Sequence, residues 1–175
     1  MRIRSAEGFT VIDLLFVCGI IGILSGMALP RLVSAKNSAV SASAIGSMRV
    51  INSAQLTFAI TCGNGFYAPN LTSLGRAPVG SDRAFISPDL GSADVVVKSG
   101  FTIQMSGAPF GGAPDTCNAI GAGAAAQSFK AGADPLDANM TRFFAINAMG
   151  TIYEDTSSLF ATMPEAALPA TGRPL

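Results

Sequence analysis

Between Phe9 and Leu29 the chain reads FTVIDLLFVCGIIGILSGMAL, a run with one charge, Asp13. At about 1.5 Å per residue such a helix spans about 30 Å, the thickness of a bilayer's hydrocarbon. Burying it inside a soluble protein takes a large surrounding domain, and a chain of 175 residues holds one modest core. Membrane insertion is the expectation. The flanking charges do not set its direction, because Arg31 and Lys36 follow the run much as Arg2 and Arg4 precede it.

A carboxylate within hydrocarbon is costly unless paired, so Asp13 reads as a functional residue. Gly22 and Gly26 form a G-x-x-x-G pair, which suits close approach of a second helix and is equally tolerated in an ordinary membrane helix. Beyond Pro30, alanine and serine dominate. Val40, Ala44, Met48, Ile51, Gln55 and Ala59 recur at helical spacing, with Ile45, Val50, Leu56 and Phe58 broadening the face. The spacing predicts a helix carried to about residue 60, near 75 Å in all at about 1.5 Å per residue. A helix of that length needs support along its side.

The string MRIRSAEG-FTVID…SGMALP resembles the N-terminus of type IV pilins and of the pseudopilins of type II secretion. The resemblance covers about the first thirty residues. It implies cleavage by a prepilin peptidase between Gly8 and Phe9, and methylation of the new Phe9 terminus. Asp13 stands where the family usually has glutamate, and Pro30 matches a family proline. On that reading the Phe9 amine, a turn away from Asp13, pairs with it within one chain or between neighbours, and sets the axial register of subunits. Gly22, Gly26 and Pro30 then allow close packing or bending in the filament.

The expected fold class is α+β, with a long N-terminal helix packed on a small antiparallel sheet. The expected divisions are a leader at 1–8, a transmembrane or filament-core half-helix at 9–30, and an amphipathic half at 31–61. A globular head follows at 62–156, and a loosely packed tail at 157–175. Cys62-Gly-Asn-Gly stops the helix, and a short helical turn is expected near Leu71. Strand signals fall at 95–97 and 101–105, more weakly at 126–130, and as a hairpin at 141–154 turning at Gly150. They predict three or four strands laid across the C-terminal half of the helix.

Cys62 and Cys117 are candidates for a disulfide if the head is exported, or for free thiols; Cys18 reads as a small hydrophobe. Histidine is absent, which removes His-based triads and mixed His zinc sites. The glycine- and alanine-rich stretch at 106–126 lacks a phosphate-loop signature and reads as a surface loop tethered by Cys117. Asp134 and Asp137 are weak candidates for a metal, and a solvated turn explains them as well. No nucleophile and base pair up, so an enzyme is not expected, and no cofactor is.

Eleven basic and eleven acidic residues balance, and nucleic acid is not implied. Arg31, Lys36 and Arg49 stand alone between Pro30 and Ile60, whereas from Thr61 onward six basic residues face nine acidic ones. A basic stem and acidic head can align subunits, or be an ordinary solvated surface.

The resemblance implies a structural subunit of a type IV pilus or a type II secretion pseudopilus. The implied partners are prepilin peptidase, sister subunits in a homo-oligomeric filament, an inner-membrane assembly platform, and lipid before assembly. The implied place is the bacterial inner membrane with a periplasmic head, then a periplasmic pseudopilus or surface pilus. Two other readings stay open: a minor tip subunit that binds DNA or a surface, and a single-pass anchored binding protein that never polymerises.

Overall fold

The computed structural model describes residues 9–175, apart from the side chains of residues 28–30. The expected leader at 1–8 lies outside the described residues. Helix α1 runs Val11–Thr61 and passes position 30 without a break in its helical assignment. Two compact units divide the chain, Met1–Ala39 and Val40–Leu175. The boundary therefore falls within the helix.

In the second unit, Ala44, Met48, Ile51, Gln55, Phe58 and Cys62 are buried, each three or four residues from the next, and they form the packed face at this end of the helix. The periodic stripe drawn from the sequence is therefore the packed face. The broadening does not all go inward: Val50 and Leu56 stay exposed. Gly63 follows the helix because a Cβ there would lie 2.1 Å from the Phe66 carbonyl oxygen and 2.7 Å from the Phe58 ring. The amides of Gly63 and Gly65 return to the Phe58 and Ala59 carbonyls, closing the last turn.

Two four-residue helices follow, α2 (Leu71–Leu74) and α3 (Pro88–Gly91). The first is the helical turn expected near Leu71, capped by the Asn70 side chain accepting from the Ser73 amide.

The sheet has six strands, not three or four: β1 (Val95–Lys98), β2 (Phe101–Ser106), β3 (Lys130–Pro135), β4 (Phe143–Asn147), β5 (Ile152–Asp155) and β6 (Arg173–Pro174). They lie in chain order, and every neighbouring pair is antiparallel. Strand β3 lies beyond the weak signal at 126–130, because its segment KAGADP has neither branched nor aromatic residues. It is held by the ladders on both sides instead.

Register puts Val96, Ile103, Ala133 and Phe144 in one row across four strands, and Met105, Ala131, Ile146 and Ile152 in another. These side chains cluster with the buried residues of α1. The helix thus covers one face of the sheet, as the α+β reading required.

The opposite face is covered too. Ala145 and Tyr153, cross-strand partners, pack with Leu159 and Met163. The expectation of a loosely packed tail from residue 157 is corrected here. Leu159 and Met163 are buried, and Asn147 donates from Nδ2 to the Pro164 and Ala167 carbonyls at 2.9 and 2.7 Å. A side chain at Gly132 would strike Phe160 at 2.8 Å, so the missing Cβ in β3 makes room for the tail. Few large apolar residues mark the tail in sequence, which is why it reads as loose. Its order comes from a sheet face that would otherwise be wet.

Candidate assembly site

Every described side chain from Phe9 to Met27 is exposed, including eleven large hydrophobic ones from Val11 onward. This is a helix long and apolar enough to cross a membrane. Among the described residues, nothing covers it. A Cβ added at Gly19, Gly22 or Gly26 would meet nothing within 4 Å, so intramolecular packing does not demand glycine at any of the three. Cys18 is a free, exposed thiol on the same segment.

Asp13 occupies the first turn of α1. The Thr10 amide donates to its Oδ2 at 3.2 Å, and the Thr10 hydroxyl donates to the same oxygen. The Thr10 hydroxyl oxygen also lies 3.3 Å from the Asp13 amide. This is a capping box, in which Thr10 starts the helix and the acid three residues on reaches back to it. The T-x-x-D spacing was visible in the sequence, and reading Asp13 as a partner for an amine passed over it. Of the other residues singled out in the sequence, Phe9 is described and exposed, while Gly8 and the Pro30 side chain lie outside the described residues.

In the head unit, Cys62 and Cys117 form a disulfide with Cα atoms 4.9 Å apart. The bond joins the end of α1 to the excursion between β2 and β3. Neighbouring contacts hold the same loop: the Cys117 amide donates to the Cys62 carbonyl, and the Val79 amide to the Cys117 carbonyl. Asn118, fully buried, donates from Nδ2 to the Ser73 carbonyl at 2.8 Å. The small-residue loop is tethered as expected, and by more than its cysteine.

Asp134 and Asp137 are each engaged with the chain. The Ser158 hydroxyl donates to Asp134 Oδ2 at 2.7 Å, while Asp134 Oδ1 is buried with no hydrogen-bond partner. Asp137 Oδ1 accepts from the Asn139 amide and side chain, both at 2.9 Å. Among the described residues, no three His, Cys, Asp or Glu side chains converge so as to hold a metal ion.

One charged constellation escaped the sequence reading. Glu154 is buried in β5, and Arg142 and Arg173 both bond it, the latter at 3.1 Å from Nη2 to Oε2. The Arg142 guanidinium, then that of Arg173, holds the Glu154 carboxyl below its ordinary range against the opposing effect of burial. Arg142 also lies over the Phe144 ring, 5.2 Å from its centroid. Residues 31 positions apart meet here, so no local pattern announces them. The cluster fastens β6 to the sheet and lines an open groove of about 400 Å³ with Thr141, Asp155 and Thr156. No family model, no curated protein and no solved structure matches this chain.

Proposed function

We propose that this chain is a structural subunit of a type IV pilus or type II secretion pseudopilus, cut by prepilin peptidase before Phe9 and assembled through α1. The observation that carries the reading is the exposed apolar stretch of α1 from Val11 to Met27, with one acid in its first turn, in a chain whose head is separately packed and disulfide-bonded. Lipid covers that helix before assembly, and sister helices cover it afterwards. Glycines that the chain's own packing does not require admit a close neighbour.

Cleavage at Gly8–Phe9 creates a cation beside Asp13. In the uncut chain Thr10 holds the Asp13 carboxylate through the cap. A carboxylate has room for further donors, so a neighbour's amine can join Thr10 rather than displace it. Pairing in the dry centre of a helical bundle fixes the axial step between subunits.

The free thiol at Cys18 provides the test. A bifunctional maleimide applied to membranes and filaments should link parent subunits in pairs through their single free thiols, with mature chains beginning at Phe9. Asp13→Ala should still reach the membrane but lose about tenfold or more of the crosslinked dimer, as expected for a dry charge left unpaired. Thr10→Val removes the cap and leaves the acid, so it should assemble nearly normally. Equal losses in the two variants would assign Asp13 to helix capping alone. Chains that still begin at Met1 and form no crosslinked dimer would instead favour an anchored, non-polymerising protein.

A further inference from the structure

The head unit's charges are nearly all spoken for. Lys98 pairs with Asp89, and Arg142 and Arg173 with Glu154. Lys130 reaches the Ala161 carbonyl and the Phe160 ring, and Arg76 donates to the Ala119 carbonyl. Among the described residues, Arg49 and Arg83 are the two cations of this unit whose guanidinium groups form no hydrogen bond, ion pair or ring contact, and both line one groove of about 610 Å³. Its floor is apolar, from Val50, Ala54 and Phe85, with the Ser53 and Thr57 hydroxyls along the helix side. Asp94, Asp134, Asp137, Asp155 and Glu165 all accept hydrogen bonds from their own chain. Asp82 and Asp115 are the two exposed carboxylates of the head left without any partner.

We propose that the Arg49–Arg83 groove receives the Asp115 carboxylate of a second copy of this chain. The inference rests on the filament reading above. Asp82 is the poorer match, because it adjoins Arg83 in sequence. Its insertion would need a two-fold contact, which brings like guanidiniums together and closes at a dimer. Asp115 lies on the excursion between β2 and β3, outside the groove's lining, so a head-to-tail contact can leave each copy with a free groove and a free acid for the next. The Asn64 side chain donates to the Asp115 carbonyl at 3.3 Å, and the disulfide at Cys117 sits two residues on, so the loop is ordered before docking. A forked guanidinium accepts a carboxylate through two parallel bonds. Two arginines in a head of net negative charge offer too few phosphate contacts for a nucleic acid.

The test is a benzophenone photo-crosslinker at position 57 in the full-length membrane protein, with products mapped by mass spectrometry. In parent filaments it should link to the peptide containing Asp115. Arg83→Glu and Asp115→Arg should each lower that crosslink about tenfold, while the double variant restores it to within about twofold. Intact Cys62–Cys117 bonds in every variant exclude misfolding as the cause. The inference is overturned if the double variant is no better than either single one, if the crosslink maps to another peptide, or if duplex DNA displaces it. Normal parent filaments with an unaffected Arg83→Glu variant would overturn this contact and leave the filament reading standing. A parent that forms no filaments overturns both.

Discussion

Gln55→Leu is the sharpest probe of how the helix is joined to the head. Gln55 is fully buried in α1, and it meets Ala68, also fully buried, through two bonds. Its Nε2 donates to the Ala68 carbonyl at 2.8 Å, and the Ala68 amide donates to its Oε1 at 2.9 Å. The side-chain amide thus satisfies both polar groups of one backbone residue. Leucine keeps the volume but leaves the Ala68 amide and carbonyl dry and unpaired, at about 1–3 kcal/mol each. Better burial of leucine offsets about 1 kcal/mol of this. The net loss is about 3 kcal/mol, which at about 3 °C per kcal/mol lowers the melting midpoint by about 9 °C. Circular dichroism of the full chain in detergent micelles reads this directly, and amide exchange at Ala68 should accelerate. A midpoint within about 2 °C of the parent, with Ala68 equally protected, would refute the assignment of those two bonds as a main tie.

The Glu154 cluster makes stability depend on acid. Its folded pKa is held below the ordinary 4.5, so its contribution is present above that value and is lost as pH falls through the lower, folded one. Denaturation midpoints of the parent and Glu154→Gln should therefore differ at neutral pH and converge as the medium is made more acid than the ordinary glutamate range; a constant gap would contradict this. Reducing the Cys62–Cys117 bond, which spans 55 residues, frees a loop whose closure is worth about 4 kcal/mol on a chain-entropy estimate. The expected fall in melting midpoint is about 12 °C, read by the same thermal scan with and without reductant.

Residues with a local signature were legible from the chain alone. A run of twenty-one residues, apolar but for Thr10, Asp13 and Ser25, specifies a membrane-length helix whatever surrounds it, because hydrocarbon and water discriminate on composition. The period of Ala44, Met48, Ile51 and Gln55 announced the face of α1 that packs, and Gly150, at φ 80°, turned the hairpin where expected. Contacts between distant residues left no such trace. Strand β3 carries weak propensity and exists because β2 and β4 bond it on either side. The tail is ordered because Ala145 and Tyr153 present an apolar surface that Leu159 and Met163 can keep dry. Glu154 finds Arg142 once β4 and β5 have paired, and Arg173 once β6 has joined β5. Local order follows from neighbours along the chain, whereas burial and charge pairing depend on which residues folding brings within a few ångströms, and that is settled by the whole packing at once.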